Sequence, residues 1–270
     1  MDFGGTGSHG GGALRRLATR LRGAGAYLLD ACLPACCVVC TGSHPGGLCA
    51  ECEAALPGST IARCACCGLG LVHGPERPAG AARCPACAAD PPPFERTLVL
   101  ADYAPPLDRV VQALKYGREA ALARPLGRAL ARRLAASGET AQVVTAVPLS
   151  MPRLATRGFN QSLEIARAMA REAHLPLEHR LLRRTRSGAP AATLHARERR
   201  LALAGAFDAP WPLDGRHVIL VDDVMTTAAT MRAAAAALRQ AGAARVINCI
   251  VARTPPVETI GHAQCRPGAP

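Results

Sequence analysis

Two adjacent carboxylates followed by hydroxyls stand out in the run His217-Val-Ile-Leu-Val-Asp-Asp-Val-Met-Thr-Thr-Ala-Ala-Thr230. An apolar strand-like stretch delivers Asp222 and Asp223, a hydroxyl-rich turn follows, and a helical period begins. Acids at the carboxyl end of a central strand lie where open α/β sheets bind ligands. Carboxylates do not hold phosphate; they suit sugar hydroxyls or a metal ion. Thr226, Thr227 and Thr230 are hydroxyl donors, and the turn through Ala228 and Ala229 opens a helix whose N-terminal amides and dipole attract phosphate. Together they describe a ligand with a vicinal diol and a nearby phosphate, as in ribose 5-phosphate. A merely capped strand-to-helix turn needs one such residue, not five.

Cysteines carry the second signal. Four Cys-x-x-Cys pairs occur, Cys37/Cys40, Cys49/Cys52, Cys64/Cys67 and Cys84/Cys87. A two-residue gap lets both thiolates face one ion, and two pairs complete a tetrahedral shell for Zn²⁺. Sequential pairing gives two sites, Cys37/Cys40/Cys49/Cys52 and Cys64/Cys67/Cys84/Cys87, with interleaved pairing also open and one or two ions expected. Cys32, Cys36 and Cys66 are left over, Cys249 reads as a small core hydrophobe, and Cys265 has no assignable role. The cysteine-rich stretch has little apolar periodicity, so metal must supply the folding energy that a core would otherwise supply. Thiols without a secretory signal predict a reducing, cytoplasmic location.

The elements that position these residues follow from periodicity. Residues 1–31 read as a disordered Gly-rich start and a basic helix, 32–90 as a double zinc ribbon, 91–254 as the ligand-binding domain, and 255–270 as a tail. After Asp90-Pro91-Pro92-Pro93, strands are expected at 97–103, 143–147, 217–221 and 245–251, and helices at 107–116, 120–136, 161–173 and 230–241. This alternation predicts an α/β fold, a parallel sheet with helices on both faces. Aromatic residues make up only 3%, so the core must be Ala, Leu and Val. No apolar run is long enough for a membrane span. The net charge of +12 favours polyanions such as nucleic acid, or phosphorylated small molecules. Lys115 is the chain's one lysine, at the end of a predicted helix. It suits a phosphate or nucleic-acid contact, and equally a helix C-terminal charge.

The Asp-Asp loop resembles the phosphoribosyl pyrophosphate motif of type I phosphoribosyltransferases. The wider chain resembles the ComF family, proteins associated with competence for DNA uptake. The matching segments are Leu33-Pro34 with the cysteine pairs, Leu114-Lys115-Tyr116, Val147-Pro148-Leu149, Arg157-Gly158-Phe159-Asn160-Gln161, Glu198-Arg199 and Gly205-Ala206-Phe207. The resemblance implies a double zinc ribbon before a type I phosphoribosyltransferase-like domain. It implies that Asp222 and Asp223 hold the ribose hydroxyls and that Thr226 to Thr230 hold the 5-phosphate. Arg153 and Arg157 would face the pyrophosphate, with Mg²⁺ accompanying the donor. It also implies single-stranded DNA and other competence proteins as partners. Three functions are open to such a chain: a phosphoribosyl transfer enzyme, a non-catalytic single-stranded-DNA-binding competence factor, and a regulator that senses the donor. Three departures bear on turnover. Ala228 stands where the family has Gly, and Ala191 and Ala202 replace Gln and Asn. Ala at 228 is expected to be tolerated only with a negative φ.

Overall fold

A computed structural model describes residues 36–44, 47–56, 61–71, 83–117, 119–185, 203 and 205–255. The expected N-terminal helix, Cys32, Cys265, Ala191, Ala202, Glu198-Arg199 and most of the tail lie outside them. Four parallel strands form the main sheet: β1 (Arg96–Asp102), β2 (Val143–Ala146), β5 (His217–Met225) and β6 (Arg245–Arg253). Their order is β1-β6-β5-β2. A two-stranded antiparallel ribbon, β3 (Arg183–Arg184) with β4 (Phe207–Asp208), stands apart. The helices are α1 (Ala50–Ala55), α2 (Pro85–Ala89), α3 (Leu107–Tyr116), α4 (Ala123–Ser137), α5 (Met151–Arg157), α6 (Gln161–Glu172) and α7 (Ala229–Gln240). The near-continuous apolar strands, buried on both sides, are what a parallel sheet requires.

Two apolar clusters cover the two faces. One joins α3, α4 and α6 to Ile219, Val221, Ile247 and Cys249. The other joins α7 to Val218, Leu220, Val246 and Ile250. Helix α3 has the bounds its period predicts. The stretch 120–136 divides into a 3₁₀ turn, Ala120–Leu122, and α4. Strand β5 runs on to Met225 because Val224 and Met225 keep pairing with Ala252 and Arg253. The acids therefore stand inside the last turns of the ladder, not beyond it. Helix α5 was hidden in the sequence by its seven-residue length.

Among the described residues, the cysteine-rich segment has no separate core. Cys37, Leu48 and Leu56 belong to the α4/α6 cluster, and Cys64, Cys66, Cys67, Cys84 and Cys87 to the α7 cluster. Glu53 takes a two-oxygen bond from Arg128 Nη2 on α4, at 2.8 and 2.6 Å. Arg63 donates to Asp102 at 2.8 Å at the end of β1. A Cβ on Gly68 would stand 2.4 Å from Val99 Cγ2, so this backbone lies directly on the edge strand. The segment thus packs on both faces of the sheet and rests on side chains of edge strand β1.

Helix α6, whose N-terminus carries Asn160-Gln161-Ser162, is set by its crossing over α4. A Cβ at Gly127 would stand 2.5 Å from Ala168 Cβ, 2.6 Å from the Ile165 carbonyl and 2.7 Å from the Met169 amide. Two of those three atoms are backbone and cannot rotate away. Gly127→Ala gains about 1 kcal/mol of helix propensity, but overpacking costs about 1–3 kcal/mol. The expected outcome is a net loss of up to about 2 kcal/mol in chemical denaturation, weighing the two effects. A more stable variant would show that the two helices can part.

Candidate functional site

The acids, the threonine loop and three loops from neighbouring elements meet at the carboxyl end of the sheet. Asp222 accepts from the Ser162 hydroxyl at 2.7 Å and from the Asp223 amide at 2.9 Å. Asp223 is buried, accepts from the Val224 amide at 2.6 Å and pairs with Lys115 Nζ at 3.2 Å. The lysine at the C-terminus of α3 therefore stands on the second acid. Burial, and then the charge of Asp223, push the Asp222 carboxyl up to about 7, against the opposing pull of Ser162, the Asp223 amide and Lys115.

Ser162 is placed by Asn160, the N-cap of α6. Its side-chain oxygen accepts from the amides of Ser162 and Leu163 at 3.1 and 3.4 Å, and its Nδ2 donates to the Val147 carbonyl at 3.1 Å. One residue thus fixes the end of β2 to the start of α6. Arg157 donates to Gln161 Oε1 at 3.1 Å and lies 5.4 Å over the exposed Tyr116 ring. Gln161 is fully buried, and its Nε2 has no partner among the described residues. Arg184 lies over Phe207 at 5.2 Å. Burial, and then the nearby Arg153, lower its pKa, while Asp222 opposes them. Lys115 pairs with Asp223 and Arg184 feels the charge of Asp222, with Arg153 near Arg184 and Arg157 beside Tyr116, so positive charge suited to a polyanionic ligand gathers here. Asn160 as a helix cap was legible from its type. Ser162, Tyr116 and Arg184 were not, because their roles depend on neighbours distant in sequence.

Thr226 is exposed, Thr227 and Thr230 are half-buried, and Ala228 and Ala229 are buried. Helix α7 has no side-chain cap. Ala228 adopts φ 63° and ψ −1°, in the left-handed region. The expectation of a negative φ is overturned: the loop keeps the turn that Gly would take freely, at a cost of roughly 1–2 kcal/mol.

The cysteines form two copies of one unit. In the first, the Cys37 amide donates to the Gly42 carbonyl, the Thr41 amide to Cys37, and Cys36 bridges Ser43. In the second, Cys64, Leu69, Gly68, Arg63 and Gly70 repeat that pattern, and the fifth residue again has positive φ, 59° at Thr41 and 67° at Gly68. Each knuckle faces a helix whose N-cap is a cysteine, Cys49 for α1 and Cys84 for α2. The groups Cys37/Cys40/Cys49/Cys52 and Cys64/Cys67/Cys84/Cys87 each have all four sulfurs within 4.8 Å of one another, which is the sequential pairing. Cys40 and Cys49 are 3.8 Å apart, and Cys67 and Cys84 are 3.7 Å apart. A tetrahedron with metal–sulfur bonds of about 2.3 Å has edges of about 3.8 Å, so both groups fit a metal ion of that size. A hydrogen bond from Cys67, joined by the amides of Cys67, Cys84 and Cys66 against the effect of burial, pulls Cys64 down to about 4. Cys64 is therefore the thiol of that group drawn toward its thiolate form. Cys66 stands outside both groups and is buried, which raises its pKa.

Residues 123–259 match the family described as Phosphoribosyl transferase domain. DNA utilization protein YhgH of Escherichia coli O157:H7 is 36% identical over 214 residues, covering 77% of this chain and 91% of that protein. Competence protein F of Haemophilus influenzae is 26% identical over 217 residues, covering 76% and 91%. Among solved structures, glutamine phosphoribosylpyrophosphate amidotransferase from B. subtilis, complexed with ADP and GMP, overlaps 49% of this chain and 26% of its own. Its identity is 26% and its TM-score 0.35. TT1426 from Thermus thermophilus overlaps 50% of this chain and 84% of its own, with 22% identity and a TM-score of 0.32.

The raised Asp222 pKa has a consequence for stability. In the unfolded chain this carboxyl titrates near its ordinary 3.8, in the folded chain near 7. Between those values the folded state binds the extra proton, so stability falls as pH rises through about 4 to 7 and levels off above. Asp222→Asn keeps an acceptor for Ser162 and removes the charge. We expect it to flatten that slope and to stabilise the ligand-free protein above pH 7 by roughly 1–4 kcal/mol. Thermal melts across this pH range check it, and a slope unchanged in the variant would assign the titration to another group.

Proposed function

Because the chain belongs to the ComF family and carries a phosphoribosyltransferase domain, we propose that its Asp222–Thr230 loop binds a phosphoribosyl pyrophosphate-like donor. One observation carries the reading. Paired acids on a central parallel strand lead into an uncapped helix N-terminus flanked by hydroxyls. Asp222 and Asp223 accept the ribose hydroxyls. Thr226, Thr227, Thr230 and the first amides of α7, at Ala228 and Ala229, receive the 5-phosphate. Arg153, Arg157 and Lys115 supply positive charge at the pyrophosphate end. Mg²⁺ bound with the donor would add charge neutralisation there. The chemistry such a donor permits is displacement of pyrophosphate from C1. Asp222 and Asp223 would then favour the positive charge developing on the ring, and the arginines the negative charge on the leaving group.

The two Cys₄ groups we assign to Zn²⁺, as structural sites with four protein ligands and no open position. On this reading residues 32–90 and 91–254 differ in function more than in core, and cysteines used as metal ligands, not disulfides, support a reducing, cytoplasmic location. Among the described residues, no helix is long and apolar enough to cross a membrane.

Calorimetric titration of the full chain with donor, ribose 5-phosphate and inorganic phosphate tests the site. Asp223→Asn should weaken donor binding about tenfold or more, the scale of one charge-assisted hydrogen bond, and leave inorganic phosphate nearly unchanged. Thr227→Val should weaken all three. A wild-type chain that binds none of them removes the reading. Equal losses in both variants would keep the location and refute the division of labour.

A second reading is handling of single-stranded DNA during uptake, favoured by the names of the relatives and the net charge of +12. Trp211 is the chain's one tryptophan and is 56% exposed. It lines a cavity of 570 Å³ with His179, Arg180 and Arg216, at the amino end of β5 and away from the acids. A base stacked on Trp211 is worth about 1–3 kcal/mol, and its intrinsic fluorescence reports the contact. Oligothymidylate should quench it, with affinity falling steeply as salt rises. Binding without quenching would place the strand elsewhere, and no binding at low salt would end this reading.

A further inference from the structure

Arg253 closes β6 and is only 5% exposed. A guanidinium this deeply buried ordinarily has a carboxylate partner. Here its hydrogen-bond partners are main-chain carbonyls. Nε donates to Cys67 at 3.1 Å. Nη1 donates to Met225 at 2.9 Å, to Thr226, and to Thr254 at 2.9 Å. The first carbonyl belongs to the second cysteine knuckle. The next two belong to the entrance of the threonine loop.

A trans peptide is planar, so its C=O and the following N–H point in opposite directions. With the Met225 and Thr226 carbonyls turned onto Arg253, the amides of Thr226 and Thr227 point the other way. Amides so turned add donors to those of Ala228 and Ala229 in the proposed phosphate site. Knuckle and loop also belong to one apolar cluster, which contains Met225, Ala228 and Ala229 together with Cys64, Cys66, Cys67, Cys84 and Cys87. Support of the loop matters because Ala228 is held at a positive φ, and a strained conformation persists only where its surroundings over-determine it.

We infer that Arg253 is a positioning residue that ties the Cys64–Cys67 knuckle to the Asp222–Thr230 loop, so that an intact second Cys₄ group is a condition for phosphate binding. The inference rests on the proposed ligand site for its consequence, but not for its mechanical part. The guanidinium reaches two segments because it is a rigid fork with several donors, whereas a lysine ammonium is a single point of attachment.

The experiment uses the full chain as wild type, Arg253→Lys and Arg253→Met, each with and without Ala228→Gly. Three quantities are read: amide hydrogen exchange over residues 225–230, bound zinc, and affinity for ribose 5-phosphate. Arg253→Met should raise exchange over 225–230 at least tenfold and weaken ribose 5-phosphate at least tenfold, with the far-ultraviolet circular dichroism unchanged. Arg253→Lys should show the same effects, smaller. Ala228→Gly should restore part of the loss in either background, because Gly adopts the turn without the support that Ala needs. Removing zinc from the wild type should raise exchange over the same residues. If Arg253→Met does not fold, Arg253→Lys decides. Unchanged exchange in a folded variant overturns the inference, as does wild-type exchange after zinc removal. If the wild type binds no ribose 5-phosphate, the ligand reading falls while exchange still judges the link between knuckle and loop.

Discussion

Strand β5 is bonded on both sides, to β2 from Val218 to Val221 and to β6 from His217 to Met225. The β6 ladder outlasts the β2 ladder, pairing Asp222, Val224 and Met225 beyond Val221 and so holding Asp223 between paired neighbours. Where β2 stops, one side of β5 is free for other groups, and Ser162 and Lys115 come to the acids. Where β6 continues, the backbone beneath the acids stays fixed. The unequal length of two ladders is thus what makes a rigid strand end into a place where side chains can meet a ligand.

Charge is distributed by the same geometry. Most acids of the described chain that stand near the module or the sheet ends are matched by arginine: Glu53 by Arg128, Asp102 by Arg63, and Glu139 by Arg96 and Arg245. Asp223 is matched by the one lysine. Asp222 is held by a hydroxyl and an amide, which satisfy its hydrogen bonds without neutralising its charge. Burial makes that charge costly, and a group brought by a ligand could offset the cost. The acid that weakens the empty fold is the one with most to gain when the site is filled.

The strands, α3 and the helical faces were legible because a parallel sheet imposes continuous apolar runs and a surface helix imposes a 3.6-residue stripe. The Asp-Asp-Thr run and the cysteine pairs were legible because their chemistry is local. What could not be read depends on contacts across the chain. Ser162 matters because Asp222 lies 60 residues away, and Arg253 because Cys67 lies 186 residues away. The backbone of Ala228 followed the turn over its own preference, a tertiary effect that residue type hides. The division of the cysteine units between opposite faces of the sheet was also invisible, since spacing specifies the ligands of an ion and not the surface on which they rest.

Edge strand β1 completes its pairing only with the last strand, and Thr97 meets Asn248 across 151 residues of chain. During synthesis the chain emerges N-terminus first, and pairings so far apart in sequence form late. The cysteine knuckles need only neighbours within their own segment, so they can take a cation while most of the sheet is still unmade. They then present finished surfaces to the apolar faces that the sheet completes when β6 arrives.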